Sequence, residues 1–239
     1  MENERRIIVP LDFSDRDQAV GLARRLAPNA ALFKIGLEMF VRCGPAVVAE
    51  IAACGRGIML DLKLHDIPNT VRRAAYNVAG LGAELLTVHA SGGPAMLAAA
   101  CEGVQEYATA HDVTPPRILA VTVLTSIDPR SLRDDLGVTR PLPEQVTNLA
   151  RLAQAAGCAG VVASPREIGA VRAACGTEFL IVTPGVRPAG AATDDQRRVM
   201  TPREALNAGA DYLVIGRPIT AAGDPVQALA ALQRELEGE

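Results

Sequence analysis

Asp61, Lys63 and Asp66 stand at i, i+2 and i+5 in the stretch Leu60-Asp61-Leu62-Lys63-Leu64-His65-Asp66-Ile67-Pro68-Asn69-Thr70. Two carboxylates near one ammonium favour its charged form, and a charged ammonium can stabilise a developing anion or protonate it. Desolvating such a cluster is costly unless its charges are paired, so it requires a reason to exist. One reason is a buried structural ion pair, and another is a reactive site. A second and a third charged run favour the site. Leu32-Phe33-Lys34-Ile35-Gly36 carries a lysine at the end of its apolar stretch, and Ile8-Val9-Pro10-Leu11-Asp12 ends in an aspartate.

The apolar run Gly57-Ile58-Met59-Leu60 in front of Asp61 reads as a strand. Strand side chains alternate faces, so Asp61 and Lys63 are expected on one face and Leu60, Leu62 and Leu64 on the other. Pro68 and Asn69 end the strand and open a helix, which leaves Asp66 in the loop between. Comparable apolar runs recur at 7–12, 32–36, 58–63, 85–89, 118–123, 160–163, 179–183 and 212–215. Amphipathic, Ala-rich helical patterns lie between and after them, at 16–26, 45–54, 71–81, 94–107, 144–156, 165–174, 202–208 and 225–236. Continuous apolar strands alternating with helices imply a parallel sheet covered by helices. Eight such units in 239 residues imply an α/β fold, a single (β/α)8 TIM barrel, with 1–239 as one domain. No linker or low-complexity tract divides it.

Sites in this fold lie at the carboxyl ends of the strands. Asp12, Lys34, Asp61, Lys63, His89, Thr125, Arg187 and Arg217 all fall there, whereas structural charges would be found at either end. The eighth strand runs into Gly216-Arg217-Pro218-Ile219-Thr220, where glycine permits close approach and a guanidinium can hold a phosphate. The seventh feeds Thr183-Pro184-Gly185-Val186-Arg187 and then a polar stretch through Gln196 to Arg198. At about a dozen residues that stretch is long for a βα loop and is expected to act as a lid. Arg187, Gln196 and Arg217 are assigned to the phosphate; Arg197 and Arg198 are read as solvated.

Composition excludes other classes. Apolar residues make up 49% of the chain, enough for a sizeable core, and the net charge is −3 with 3% aromatics and no Trp. Nucleic-acid binding, which needs a basic footprint and stacking platforms, is not expected. No run approaches the ~20 apolar residues of a membrane span. Met1-Glu2-Asn3-Glu4-Arg5-Arg6 lacks an apolar core behind its charges, so no signal peptide is expected. Cys43, Cys54, Cys101, Cys158 and Cys175 are scattered without a C-x-x-C pair, as in reduced, cytoplasmic proteins. His65, His89 and His111 show no metal-ligand spacing, so no metal is expected.

Together these residues resemble the orotidine 5'-phosphate decarboxylase family in its short bacterial form, over nearly the whole chain from Leu11-Asp12 to Ile219-Thr220. The most specific parts are the 61–70 stretch, Thr183-Pro184-Gly185-Val186-Arg187-Pro188 and Asp211-Tyr212-Leu213-Val214-Ile215-Gly216-Arg217-Pro218. No position that the family's chemistry requires departs from the pattern. The resemblance implies decarboxylation of orotidine 5'-monophosphate to uridine 5'-monophosphate, the last step of de novo UMP synthesis, without a cofactor. It implies Lys34, Asp61, Lys63 and Asp66 as the catalytic charges, with Lys63 donating a proton to C6. Asp12 and Lys34 would hold ribose hydroxyls, Thr125 or Ser126 the pyrimidine edge, and Arg187, Gln196, Gly216 and Arg217 the phosphate. His65 would stand behind the site and His89 support its floor. The resemblance also implies a homodimer in which Asp66 and Thr70 reach into the partner's site.

Two rivals remain. A Mg2+-dependent sugar-phosphate decarboxylase or aldolase of the same barrel would carry a metal-binding carboxylate on the second strand. Lys34 stands there instead, and Glu38 is poorly spaced to replace it. A non-catalytic nucleotide-binding barrel would have little need of the full charged array.

Overall fold

The computed structural model describes residues 6–187 and 200–237. Eight parallel strands close into a barrel in chain order: β1 (Ile7–Pro10), β2 (Leu32–Gly36), β3 (Gly57–Leu64), β4 (Leu85–His89), β5 (Arg117–Val121), β6 (Gly160–Val162), β7 (Leu180–Pro184) and β8 (Tyr212–Val214). Around it lie α1 (Arg16–Leu26), α2 (Leu37–Cys43), α3 (Ala46–Ala52), α4 (Pro68–Ala79), α5 (Gly93–His111), α6 (Pro129–Asp134), α7 (Leu142–Ala155), α8 (Ile168–Cys175), α9 (Pro202–Asn207), α10 (Arg217–Thr220) and α11 (Pro225–Glu237). The expected (β/α)8 barrel is the observed fold. No described helix is long and apolar enough to cross a membrane.

Some helices differ from the sequence expectation. The region after β2 forms two helices in place of one, because Gly44 ends α2 at φ +68 and Pro45 opens α3. The helices α6 and α10 are too short for a hydrophobic period to announce them. Local chemistry sets several starts: the Asp15 carboxylate accepts from the Gln18 N–H at 2.9 Å, and Pro68 takes the first turn of α4.

Two apolar layers hold the barrel. Between strands and helices a large layer buries residues such as Val9, Phe33, Ile35, Leu60 and Leu86. Inside the barrel, Ile8, Leu32, Met59, Leu85, Leu119 and Val182 pack on one another as a plug. Strand period then dictates the level above that plug. Two residues beyond Ile8, Leu32, Met59 and Leu85 come Pro10, Lys34, Asp61 and Thr87, facing the same interior. The barrel therefore carries its polar level directly on top of its apolar one.

Candidate active site

The polar level lines a cavity of about 520 Å3 at the carboxyl ends of the strands. Lys34 reaches it from β2, Asp61 and Lys63 from β3, Asp12, Thr125, Arg187 and Gly216 from the loops that follow β1, β5, β7 and β8, and Arg217 from the start of α10. Met59 and Val162 form apolar parts of its wall, and Ser164 adds a buried hydroxyl beside them.

Four of these side chains alternate in charge along a connected row. The Lys34 ammonium donates to Asp12 Oδ1 at 2.9 Å and lies 3.4 Å from Asp61 Oδ2. The other oxygen of Asp61, Oδ1, accepts from Lys63 Nζ at 2.8 Å. Asp61 and Lys34 are each only 8% exposed. Burial by itself would push the Asp61 carboxyl up. The two ammoniums, with hydrogen bonds from Lys63 and Thr87, outweigh it and hold the carboxyl below its ordinary value. Gly36 leaves space for the row: a Cβ there would stand 2.7 Å from Asp12 Oδ1 and 3.0 Å from Lys34 Nζ.

The expected regular alternation through Lys63 is interrupted. Leu60 pairs with Leu86 and Leu64 with Val88, so β3 takes four steps where β4 takes two. Lys63 sits in this bulge with φ +50, the left-handed region that L-residues avoid at a cost on the order of 1–3 kcal/mol. Its side chain still shares the face of Asp61, as the spacing implied. Its backbone N–H donates to Thr87 Oγ1 at 2.9 Å.

Asp66 and Thr70 are exposed and do not line this cavity; one Asp66 oxygen accepts from the Ile67 N–H at 2.6 Å. Of the two adjacent hydroxyls after β5, Thr125 lines the cavity, whereas Ser126 is exposed and does not. Gln196 lies outside the described residues. At the rim, Val186 bridges Met200, and the Arg187 N–H donates to the Met200 carbonyl at 3.1 Å. His89, half-buried behind Lys63, has its ring 5.4 Å from that of exposed His65. Burial pushes the His89 imidazole down, and His65 and Lys63 push it further. Among the described residues, no group of three or more His, Cys, Asp or Glu side chains is arranged to hold a metal ion.

Thr87 was missed by motif reading because a threonine in an apolar strand carries no signal of its own. Counting two residues on from Leu85 would have found it, as counting two from Val162 finds Ser164.

The model of the orotidine 5'-phosphate decarboxylase / HUMPS family matches residues 5–232. The chain belongs to this family. An orotidine 5'-phosphate decarboxylase of Moorella thermoacetica is 55% identical over 237 residues, covering 99% of this chain and 94% of that one. Another, of Syntrophotalea carbinolica, is 50% identical over 236 residues, covering 99% and 96%. The crystal structure of orotidine 5'-phosphate decarboxylase from Lactobacillus acidophilus superposes with a TM-score of 0.86 at 38% identity, covering 98% of this chain and all of that one.

Proposed function

We propose that the protein decarboxylates orotidine 5'-monophosphate to uridine 5'-monophosphate and CO2, the last step of de novo UMP synthesis. The observation that carries this reading is the row Asp12, Lys34, Asp61, Lys63, with Lys63 Nζ 2.8 Å from Asp61 at the open end of the row. The bond from C6 to the substrate carboxylate breaks, CO2 departs, and the electron pair stays on C6. That carbanion cannot delocalise as an enolate would, so fixed charge must stabilise it. The Lys63 ammonium supplies the charge and then the proton that forms the C6–H bond; the resulting amine recovers a proton from water. Asp61 puts negative charge beside the departing carboxylate and fixes the Lys63 ammonium.

Binding is divided around the rim. Asp12 and Lys34 hold ribose hydroxyls and Thr125 meets the pyrimidine edge. Arg187, Gln196, Gly216 and Arg217 hold the phosphate. The phosphate is remote from C6, so its binding energy serves orientation and closure. One barrel domain supplies these groups, and a second copy completes the site: Asp66 and Thr70 serve the partner's cavity. Exposed apolar side chains support such a contact, since Ile67 follows Asp66 at 67% exposure and Val41 on α2 is 79% exposed. The reaction is placed in the cytoplasm.

Ultraviolet absorbance of orotidine 5'-monophosphate mixed with EDTA-treated protein tests the reading. Rapid conversion to uridine 5'-monophosphate is expected. Turnover that returns only with Mg2+ would instead favour metal-dependent chemistry, and binding without turnover a non-catalytic barrel.

A further inference from the structure

Thr87 has no part in the site as family resemblance describes it, yet its hydroxyl joins two features of that site. It lies on β4, one strand from the charged row, and is fully buried. A hydroxyl offers one donor and two acceptor positions. The Lys63 N–H must donate, so Oγ1 accepts from it at 2.9 Å. An ionised carboxylate only accepts, so the single Thr87 hydrogen goes to Asp61 Oδ1 at 3.0 Å. That same oxygen accepts from Lys63 Nζ at 2.8 Å. The result is a closed ring: Lys63 backbone to Thr87, Thr87 to Asp61, and Asp61 back to the Lys63 side chain.

The ring fixes Lys63 at both ends. The bulge in β3 takes Lys63 out of regular pairing with β4 and leaves it left-handed at φ +50. A backbone N–H there needs an acceptor, since an orphaned buried donor is costly. We propose that Thr87 is a positioning residue of the decarboxylase site, holding the left-handed turn at Lys63 and aiming the Asp61 oxygen that grips its ammonium. Valine has nearly the same shape and fits a strand equally well, but it offers neither an acceptor to Lys63 nor a donor to Asp61. Serine offers both.

The inference rests on the decarboxylase reading, and its test separates the two. Wild-type protein is first assayed with orotidine 5'-monophosphate, and absence of turnover there counts against the reading, not against Thr87. Thr87→Val and Thr87→Ser are then compared for kcat, KM and crystal structure. Thr87→Val loses both hydrogen bonds and should lower kcat on the order of tenfold to a hundredfold, up to the loss that a misplacement of about 1 Å at a reacting group causes. KM should change far less, and Thr87→Ser should recover most of kcat. In the Thr87→Val crystal, Lys63 should leave its left-handed conformation or its ammonium should leave Asp61. Unchanged kcat in Thr87→Val overturns the proposal, as does a crystal with Lys63 and Asp61 unmoved. Should the valine variant not fold, Thr87→Ala against Thr87→Ser gives the same comparison, and equal kcat in those two overturns it as well.

Discussion

At Gly36 a single missing methyl group decides whether the charged row fits. Its φ of −90 is open to any L-residue, so alanine strains no backbone there. The added Cβ would instead press on the ends of Asp12 and Lys34. Gly36→Ala should therefore keep stability within about 1 kcal/mol while raising KM roughly tenfold, the equivalent of 1.4 kcal/mol of binding. Steady-state kinetics beside urea unfolding would show it, and unchanged KM would mean that the pair yields without consequence. Asp61 makes a prediction about pH. Its native carboxyl is held below the ordinary value, so the unfolded chain takes up that proton more readily than the folded one. The stability it confers is complete above the ordinary aspartate value of about 3.9 and disappears as pH falls through the lower native value. At pH 7, Asp61→Asn should be less stable than wild type, with two ammoniums left facing no Asp61 charge. In unfolding curves taken at successively lower pH, the gap should close below about pH 4. A gap that stays constant would show that the charge of Asp61 does not stabilise the fold.

At the scale of elements, the site depends on strands whose feet are held at the opposite end. Arg172 near the end of α8 donates to the carbonyls of Gly176, Thr177, Phe179 and Gly209 at 2.6–3.2 Å. It also pairs with Asp211 at 2.8 Å, whose same oxygen accepts from the Ile181 N–H at 2.7 Å. One guanidinium thus ties the chain entering β7 to the chain entering β8, the two strands that lead to Arg187 and Arg217. Conserving its length without its donors, Arg172→Met should cost about 2 kcal/mol, as losing the hydrogen bonds of a charged, partly buried hub does. Denaturant midpoint is the readout, and kcat under native conditions should be little altered. A midpoint that does not move would show the staple to be redundant. The bulge in β3 is the complementary case, an element distorted at its functional end and tied there by Thr87 from β4.

At the scale of the whole molecule, the cavity described here lacks Asp66 and Thr70, which are exposed on the same chain. If they serve a second copy, two defective subunits can complement one another. Lys63→Ala and Asp66→Asn should each be inactive as homodimers. Mixed in equal amounts and allowed to exchange, they should recover roughly a quarter of wild-type activity, since about half the dimers are mixed and each has one intact site. Persistent inactivity after proven exchange would sink the shared-site arrangement.

The sequence alone determined the barrel and most of the charged row. Eight apolar runs with helical periods between them announce a parallel barrel, because both periods are written in consecutive residues. Period 2 likewise assigned Asp61 and Lys63 to one face, and the fold's preference for the carboxyl ends placed Asp12, Lys34, Arg187 and Arg217 at one mouth. Only the tertiary structure decided that Lys63 turns left-handed, that Thr87 holds it, and that Thr125 and not Ser126 lines the cavity. Those outcomes depend on how β3 registers against β4 and how the loop after β5 folds over the barrel. Contacts between residues distant in sequence set such registers, and no local pattern along the chain records them.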